Sequence, residues 1–386
     1  MRFKALDGWR GLCALSVALM HLNFAGNYQN IHFVDNAYLF VDFFFVLSGF
    51  VISHSIWGNL SSTHDLLNFV VRRFARLWPL HVTVIALMLP IEVARTYLIS
   101  VGYFAPKVSG FEGRFSVSSL WENLIFLNAV GLQDHITWNY PSWSIGAEFL
   151  TYLVFGACAY FAWRRLPFLA FVLSATGLLF VVLLSPESTG PTIGLTYDYG
   201  IFRCIYGFFL GHLTYLAWRA APCRFGTAGE LFALIMVIAF VQTVDEGAAT
   251  LAAPLVFAVA VWVFAAEGGS ISRALKTKPF QKLGLWSYGI YMTHMLLLLF
   301  IDKLVGFAEK REGLHISFIE LYTREGGVIR LLLIGSPWVM DALAVVFLAA
   351  VIALGALAYR FVEVPGQTLI RRLAERRSFA TVAPAR

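Results

Sequence analysis

The stretch Asp7-Gly-Trp-Arg-Gly-Leu-Cys-Ala-Leu-Ser-Val-Ala-Leu-Met-His21 decides the architecture, because it is an apolar run with ionisable residues near both ends. Arg10 and His21 lie about three α-helical turns apart, so both side chains share one face, roughly 16 Å apart along the axis. An ionisable group deep in a bilayer costs a few kcal/mol unless it faces protein or a wet cavity. The pair is therefore a candidate functional site, with a hydrogen-bonded core histidine as the alternative.

The composition indicates a polytopic membrane protein. Of 386 residues, 59% are hydrophobic and only 13% are charged, and the mean hydropathy is +0.72. The net charge is +6, and the basic residues that produce it lie between the apolar runs, as the positive-inside rule predicts. Nucleic acid is therefore excluded as a partner. Neither a metal site nor a disulfide framework is expected from the spacing of the cysteines, which are Cys13, Cys158, Cys204 and Cys223.

Apolar runs of about 15 to 24 residues predict an all-α polytopic membrane bundle of about ten transmembrane helices. The runs are 10–25, 37–57, 77–100, 143–163, 167–185, 199–218, 229–245, 250–266, 284–304 and 338–361. Lys and Arg collect in the connections on one side, which predicts cytoplasmic N- and C-termini. We expect one membrane domain, residues 1–366, followed by a short basic tail, residues 367–386.

Five polar residues within these runs lie at similar depth and could form one cluster: His21, Asp42, Ser144, Glu148 and Arg203. Ser144 and Glu148 are four residues apart and so share a helical face. A histidine beside a carboxylate is the usual general base. For Glu148 two interpretations stay open, a catalytic partner of His21 or an ion pair with Arg203. For Asp42 a helix cap or interfacial acid is favoured.

The ninth run carries a polar stripe, because Ser287, Tyr291 and His294 follow one another at helical spacing. Such a stripe indicates a cavity or a packed polar seam. His294 is either a second base or, the favoured interpretation, a histidine bonded to neighbouring hydroxyls.

Two further features have both a functional and a structural interpretation. The arginines before Pro79 (Arg72, Arg73 and Arg76) either bind phosphate or anionic lipid, or only set the topology. Ser48-Gly49, within a phenylalanine-rich run, permits close approach of a backbone or a ligand, and a packing contact is favoured. A serine nucleophile is not expected, since no Gly-x-Ser-x-Gly turn is present.

Together these motifs resemble the acyltransferase 3 family of bacterial membrane O-acyltransferases, over essentially the whole chain. The matching segments are Arg10-x10-His21, the Val-Asp-x-Phe-Phe-x-x-Ser-Gly-Phe block at 41–50, the Arg-rich turn before Pro79, the Trp-Ser-x-x-x-Glu block at 143–148, Arg203, the Leu-Gly-x-x-Ser-Tyr-x-x-Tyr-x-x-His block ending at His294, and Phe361-Val-Glu363-Val-Pro365. The chain looks like the stand-alone form, without an SGNH-type hydrolase domain.

The resemblance implies transfer of a short acyl group, acetyl or succinyl, from acyl-CoA to a sugar hydroxyl. The implied acceptor is a lipid-linked or extracytoplasmic polysaccharide, and the implied location is the bacterial inner membrane, with membrane lipid as a further partner. No permanently bound cofactor is expected, and a homodimer is left open. Binding of a succinyl group would require a nearby cation, such as Arg203, to pair with its carboxylate.

The resemblance also implies roles for individual residues. His21 would be the general base, or alternatively an acyl-histidine relay, with Arg10 and Glu148 as catalytic partners. The residues expected to bind the acyl donor are Arg10, Arg72, Arg73, Arg76, Ser48 and Tyr291. Those expected to bind the acceptor or support the site are Asp42, Trp143, Ser144, Arg203 and His294.

Two other classes of protein compete with the enzyme. Buried Arg, His and Glu in a ten-span protein also describe a proton-coupled transporter of a small solute. No inverted repeat or matched pair of broken helices supports that alternative. A scaffold in a polysaccharide export complex is the third possibility.

Overall fold

The computed structural model describes residues 2–58, 60–102, 110–186, 190–223, 225–312, 317–322 and 328–380. Within these residues the chain is a helical bundle with a single two-stranded hairpin. The helices are α1 (Lys4–Met20), α2 (His32–Asp35), α3 (Phe40–Ile56), α4 (Thr63–Ser100), α5 (Val117–Leu124), α6 (Ser142–Phe161), α7 (Leu166–Leu184), α8 (Gly200–Ala220), α9 (Thr227–Thr243), α10 (Ala253–Ala265), α11 (Ser270–Leu275), α12 (Lys278–Glu312), α13 (Pro337–Ala358) and α14 (Val364–Ala380).

The predicted all-α membrane architecture is confirmed, and each of the ten predicted runs is a helix. Of the helices described, seven are long and apolar enough to cross a membrane, and α9 is apolar but shorter. The first run is displaced, because α1 begins at Lys4 and ends at Met20. His21 is therefore the residue that directly follows the last turn of α1.

Helix α1 packs against α12 closely enough for their backbones to approach each other. A Cβ atom on Gly11 would lie only 2.7 Å from the backbone nitrogen of Gly284, so glycine is required at this crossing. The polar stripe of α12 faces α1, because Ser287 bonds Arg10 and His294 lies against His21. The predicted shared face of Arg10 and His21 is thus the face that meets α12.

Helices α3 and α8 form a second close pair. Gly49 lies against the backbone of Phe208, where a Cβ atom would have no room. The packing interpretation of Ser48-Gly49 is correct for Gly49, while Ser48 on the next position turns to a cavity. The same helix pair places Asp42 opposite Arg203.

Two long connections carry local structure that the sequence patterns did not predict. The first contains α5, whose Trp121 is 64% exposed, and the segment after α5 returns toward the bundle. The second forms an antiparallel hairpin of β1 (Ser317–Tyr322) and β2 (Val328–Leu333). A parallel bridge joins Phe24 to Leu332, so the hairpin lies beside the chain that follows His21.

A π-helical turn, Tyr359–Glu363, separates α13 from α14. Extra residues of this kind redirect side chains and are frequent at functional sites. The turn points Glu363 at Arg76, with which it forms an ion pair while only 1% exposed. Helix α14 then packs along α4.

Candidate active site

A cavity of about 180 Å³ lies among α1, α3, α4, α6 and α12, and we call it the arginine cavity. Three guanidinium groups line it, together with one carboxylate and several hydroxyl groups. These residues are Arg10, Arg73, Arg76, Glu148, Ser48, Ser144, Tyr152, Ser287, Tyr288 and Tyr291. Six of the residues that the sequence assigned to acyl-donor binding or catalysis therefore share one wall: Arg10, Arg73, Arg76, Ser48, Glu148 and Tyr291. Arg72 is exposed and does not line the cavity.

Arg10 is partly committed to holding α1 against α12. Its Nε donates to the Ser287 hydroxyl at 2.9 Å and its Nη2 to the Gly284 carbonyl at 2.8 Å. Nη2 also lies 3.2 Å from the carboxylate of Asp7. These contacts hold the guanidinium in a fixed position in the cavity wall.

Arg73 and Arg76 differ in their pairing. Arg76 is ion-paired with Glu363 and lies 5.2 Å from the ring of Tyr288. Arg73 lies against aromatic rings, and its buried Nε has no hydrogen-bond partner among the described residues. Arg73 is thus the cation of this wall with the most unused hydrogen-bonding capacity, which suits it to bind an anion.

Glu148 does not join His21. Its Oε1 accepts hydrogen bonds of 2.5 Å from the hydroxyls of both Ser48 and Tyr152, inside the arginine cavity. The interpretation as an ion pair with Arg203 is wrong, since Arg203 pairs with Asp42, while a catalytic role for Glu148 stays a prediction. The predicted shared face of Ser144 and Glu148 is nevertheless confirmed, since both line this cavity.

A second cavity of about 790 Å³ adjoins the first, and we call it the histidine cavity. Its walls include His21, five aromatic side chains and two carboxylates. The aromatic residues are Tyr38, Tyr140, Trp143, Tyr197 and Tyr291, and the acids are Asp198 and Glu246. Burial raises the pKa of the Asp198 carboxyl above its usual value. Trp143, assigned to acceptor binding from the sequence, is part of this wall.

The hydrogen bonds of His21 fix its tautomer. Nδ1 lies 2.9 Å from the carbonyl oxygen of Val17, which can only accept, so Nδ1 carries the proton. Nε2 is left with its lone pair, which is the state a general base needs. The ring packs against Tyr140 at a centroid distance of 5.0 Å.

His294 lies directly behind His21, with ring centroids 5.1 Å apart. It is fully buried, its Nδ1 lies 3.3 Å from the Ile290 carbonyl, and its Nε2 has no partner among the described residues. The expectation that neighbouring hydroxyls bond His294 is wrong, because a backbone carbonyl takes that place. His294 packs against His21 and lines neither cavity.

Asp42 and Arg203 form a buried two-pronged ion pair at 2.9 and 2.7 Å. The favoured interpretation of Asp42 as a helix cap or interfacial acid is therefore wrong. Arg203 is 1% exposed and stacks near Trp143 at 5.4 Å. The pair joins α3 to α8 and supports the wall of the histidine cavity.

The two cavities meet at Val41 and Tyr291, which line both. The Tyr291 hydroxyl lies 2.8 Å from the Ser144 oxygen, and Ser144 itself donates to the Pro141 carbonyl at 2.9 Å. Since the Ser144 proton is committed to that carbonyl, Tyr291 is the donor in the pair. This hydrogen bond lies where the two cavities share Tyr291.

Several site residues had no sequence signal. Tyr140, Asp198 and Glu246 lie in connections, where no periodicity indicates which residues face inward. Tyr152 was detectable, since it follows Glu148 by one helical turn.

Comparisons with known proteins identify the family of the chain. The family model described as an acyltransferase domain matches residues 3–360. The chain is 26% identical to "Acyltransferase MdmB" of Streptomyces mycarofaciens, with 99% of this chain and 95% of the relative covered. It is 24% identical to "Peptidoglycan O-acetyltransferase OatA" of Listeria monocytogenes, covering 75% of this chain and 48% of that relative.

A third relative, "Protein 2 in picA locus" of Rhizobium radiobacter, is 42% identical over 22% of this chain and 44% of its own length. No solved structure matches the chain. The family match extends from the start of α1 to the π-helical turn and includes both cavities. The chain belongs to the acyltransferase 3 family and is a multi-pass membrane acyltransferase.

Proposed function

We propose that the protein transfers an acetyl group from acetyl-CoA to a hydroxyl of a saccharide, with His21 as the general base. The observation that carries this proposal is the meeting of the two cavities at Val41 and Tyr291. One cavity offers arginines to an anionic substrate, and the other offers a histidine with a free lone pair. A thioester arriving through the first would meet a hydroxyl arriving through the second.

The acyl donor enters through the arginine cavity. A third cavity of about 450 Å³, lined by Arg2, Asp7 and His54, shares Arg10 with it and extends the path. The phosphates of coenzyme A suit the three arginines, and Arg73 offers the unused guanidinium. The positive-inside distribution of Lys and Arg supports a cytoplasmic opening for this path.

The chemistry is a direct transfer. The acceptor hydroxyl oxygen attacks the thioester carbonyl carbon while its proton passes to Nε2 of His21, a contribution of about 10² to 10⁴ in rate. The carbon–sulfur bond then breaks, and the thiolate takes the proton from His21. The products are an O-ester and free CoA. Direct transfer suits a site where the two cavities adjoin, so an acyl-histidine is unnecessary.

Acetyl is favoured over succinyl because of Arg203. Its guanidinium is neutralised by Asp42 and is buried, so it offers no charge to a succinyl carboxylate. The acceptor is a saccharide of the cell envelope, lipid-linked or extracytoplasmic, which the name of the Listeria relative supports. We place the protein in the bacterial inner membrane.

The test is release of CoA from acetyl-CoA by purified protein in lipid, with a bacterial envelope saccharide extract as acceptor. Wild-type protein should release CoA in step with ester formation, and His21→Ala should lose at least about 100-fold in rate. Binding of acetyl-CoA should be retained in His21→Ala, since His21 lies outside the arginine cavity.

Succinyl-CoA serves as the matched control for the acyl group, and it should be used more slowly. No CoA release from folded wild-type protein would contradict the proposal and favour the transporter. CoA release that is identical in His21→Ala would exclude His21 as the base.

A further inference from the structure

The histidine cavity has an uneven charge distribution. The guanidinium of Arg203 has little hydrogen-bonding capacity left. Its Nε and Nη2 donate to the Asp42 carboxylate, and Nη2 also donates to the Tyr38 carbonyl at 3.1 Å. As the proposed general base, His21 is neutral, with its proton on Nδ1 facing the Val17 carbonyl. Among the described wall residues, no cation is therefore free to bind an anionic ligand.

Two carboxylates on separate connections face the same space. Asp198 is half-buried just before α8, and one of its oxygens accepts the Thr196 backbone N–H at 2.8 Å, which fixes its position. Glu246 is exposed after α9 and lies on the same wall. The charged side chains of the described wall therefore give the histidine cavity a negative electrostatic potential.

Aromatic side chains line the same cavity as these carboxylates. Tyr38, Tyr140, Trp143 and Tyr197 belong to the same wall. Aromatic faces attract ammonium groups, and aromatic residues combined with carboxylates form the usual cage for an organic cation. The same faces stack on sugar rings, so the wall suits a ring that carries both hydroxyls and a protonated amine.

We propose that the histidine cavity selects an acceptor that carries a protonated amine beside its hydroxyls, with Asp198 and Glu246 as its anchors, and disfavours anionic acceptors. This inference rests on the proposed function, because it assigns the acceptor to the cavity of His21. Anchoring the amine at the carboxylates would direct a ring hydroxyl toward Nε2 of His21. An acceptor carboxylate would instead meet two like charges, which is unfavourable.

The test compares three methyl glycosides that share one ring and differ in charge. They are the 2-deoxy-2-dimethylamino glucoside, which is cationic, the glucoside, which is neutral, and the glucuronide, which is anionic. The tertiary amine cannot form a stable amide, so any acetylated product is an ester. Acetyl-CoA is the acyl donor, and both CoA release and ester mass are measured.

Wild-type protein should prefer the amino glycoside over the glucuronide by at least about tenfold in kcat/KM. Asp198→Asn and Glu246→Gln should each reduce this ratio severalfold, mainly through KM for the amino glycoside. Asp245→Asn is the matched control, because Asp245 is exposed beside Glu246 but does not line the cavity. It should leave the ratio unchanged.

If kcat/KM were equal for the three glycosides, or highest for the glucuronide, the inference would be overturned and the proposed function would still stand. Inactivity with all three glycosides, in protein that is active with the envelope extract, would also overturn it. Inactivity with the extract as well would instead overturn the proposed function.

Discussion

The arginine cavity and the histidine cavity differ in size, charge and origin. The first, of about 180 Å³, is built from helices and carries three guanidinium groups. The second, of about 790 Å³, has walls largely from connections and carries two carboxylates among aromatic rings. Under the proposed function, this difference means that the two substrates are sorted by charge before they meet, and that the two halves should respond separately to substitution.

Among three substitutions that test the separation of the two cavities, the largest effect should come from the unpaired cation, Arg73. Arg73→Gln should raise KM for acetyl-CoA about tenfold, since it removes a charge-assisted bond to phosphate, with kcat nearly unchanged. Arg72→Gln is the matched control, because Arg72 is exposed and outside the cavity. Acetyl-pantetheine lacks the nucleotide phosphates, so its KM should not change. An equal loss with both thioesters would remove Arg73 from phosphate binding.

A smaller effect should come from the opposite half. Tyr140→Leu should lower kcat/KM for the acceptor about fivefold, because one stacking face beside His21 is lost. Tyr140→Phe keeps the ring and should stay near wild type. Steady-state kinetics at fixed acetyl-CoA measure this, and KM for acetyl-CoA should be unchanged. A shift in that KM would show that the two halves are not independent.

The smallest effect should come from Glu148→Gln. The amide keeps an oxygen for the Ser48 and Tyr152 hydroxyls, so we expect about a twofold change in KM for acetyl-CoA and an unchanged kcat. The pH dependence of kcat should match the wild-type profile. If kcat fell tenfold with an altered pH profile, Glu148 would act on His21 after all.

Much of the fold could be predicted because apolar length and charge placement are local properties of the sequence. The face shared by Arg10 and His21 and the polar stripe on α12 both follow from helical periodicity. The partners of the buried acids could not be predicted. Asp42 and Glu148 lie at similar depth, and only the close packing of α3 against α8 decides that Asp42 takes Arg203.

The histidine cavity was the least predictable region. Its carboxylates and several of its aromatic residues lie in connections, where no period relates a residue to a face. The role of Glu363 also needed the structure, since a π-helical turn shifts the face on which it emerges.

The junction at Val41 and Tyr291 has an electrical consequence. If the histidine cavity opens to the face opposite the cytoplasmic opening proposed for the arginine cavity, water-filled space reaches this point from both sides. Most of the membrane voltage then falls across the Tyr291–Ser144 contact, where one charge crossing 100 mV exchanges about 2.3 kcal/mol. The passage for the acyl group must therefore also be a seal against ion leakage.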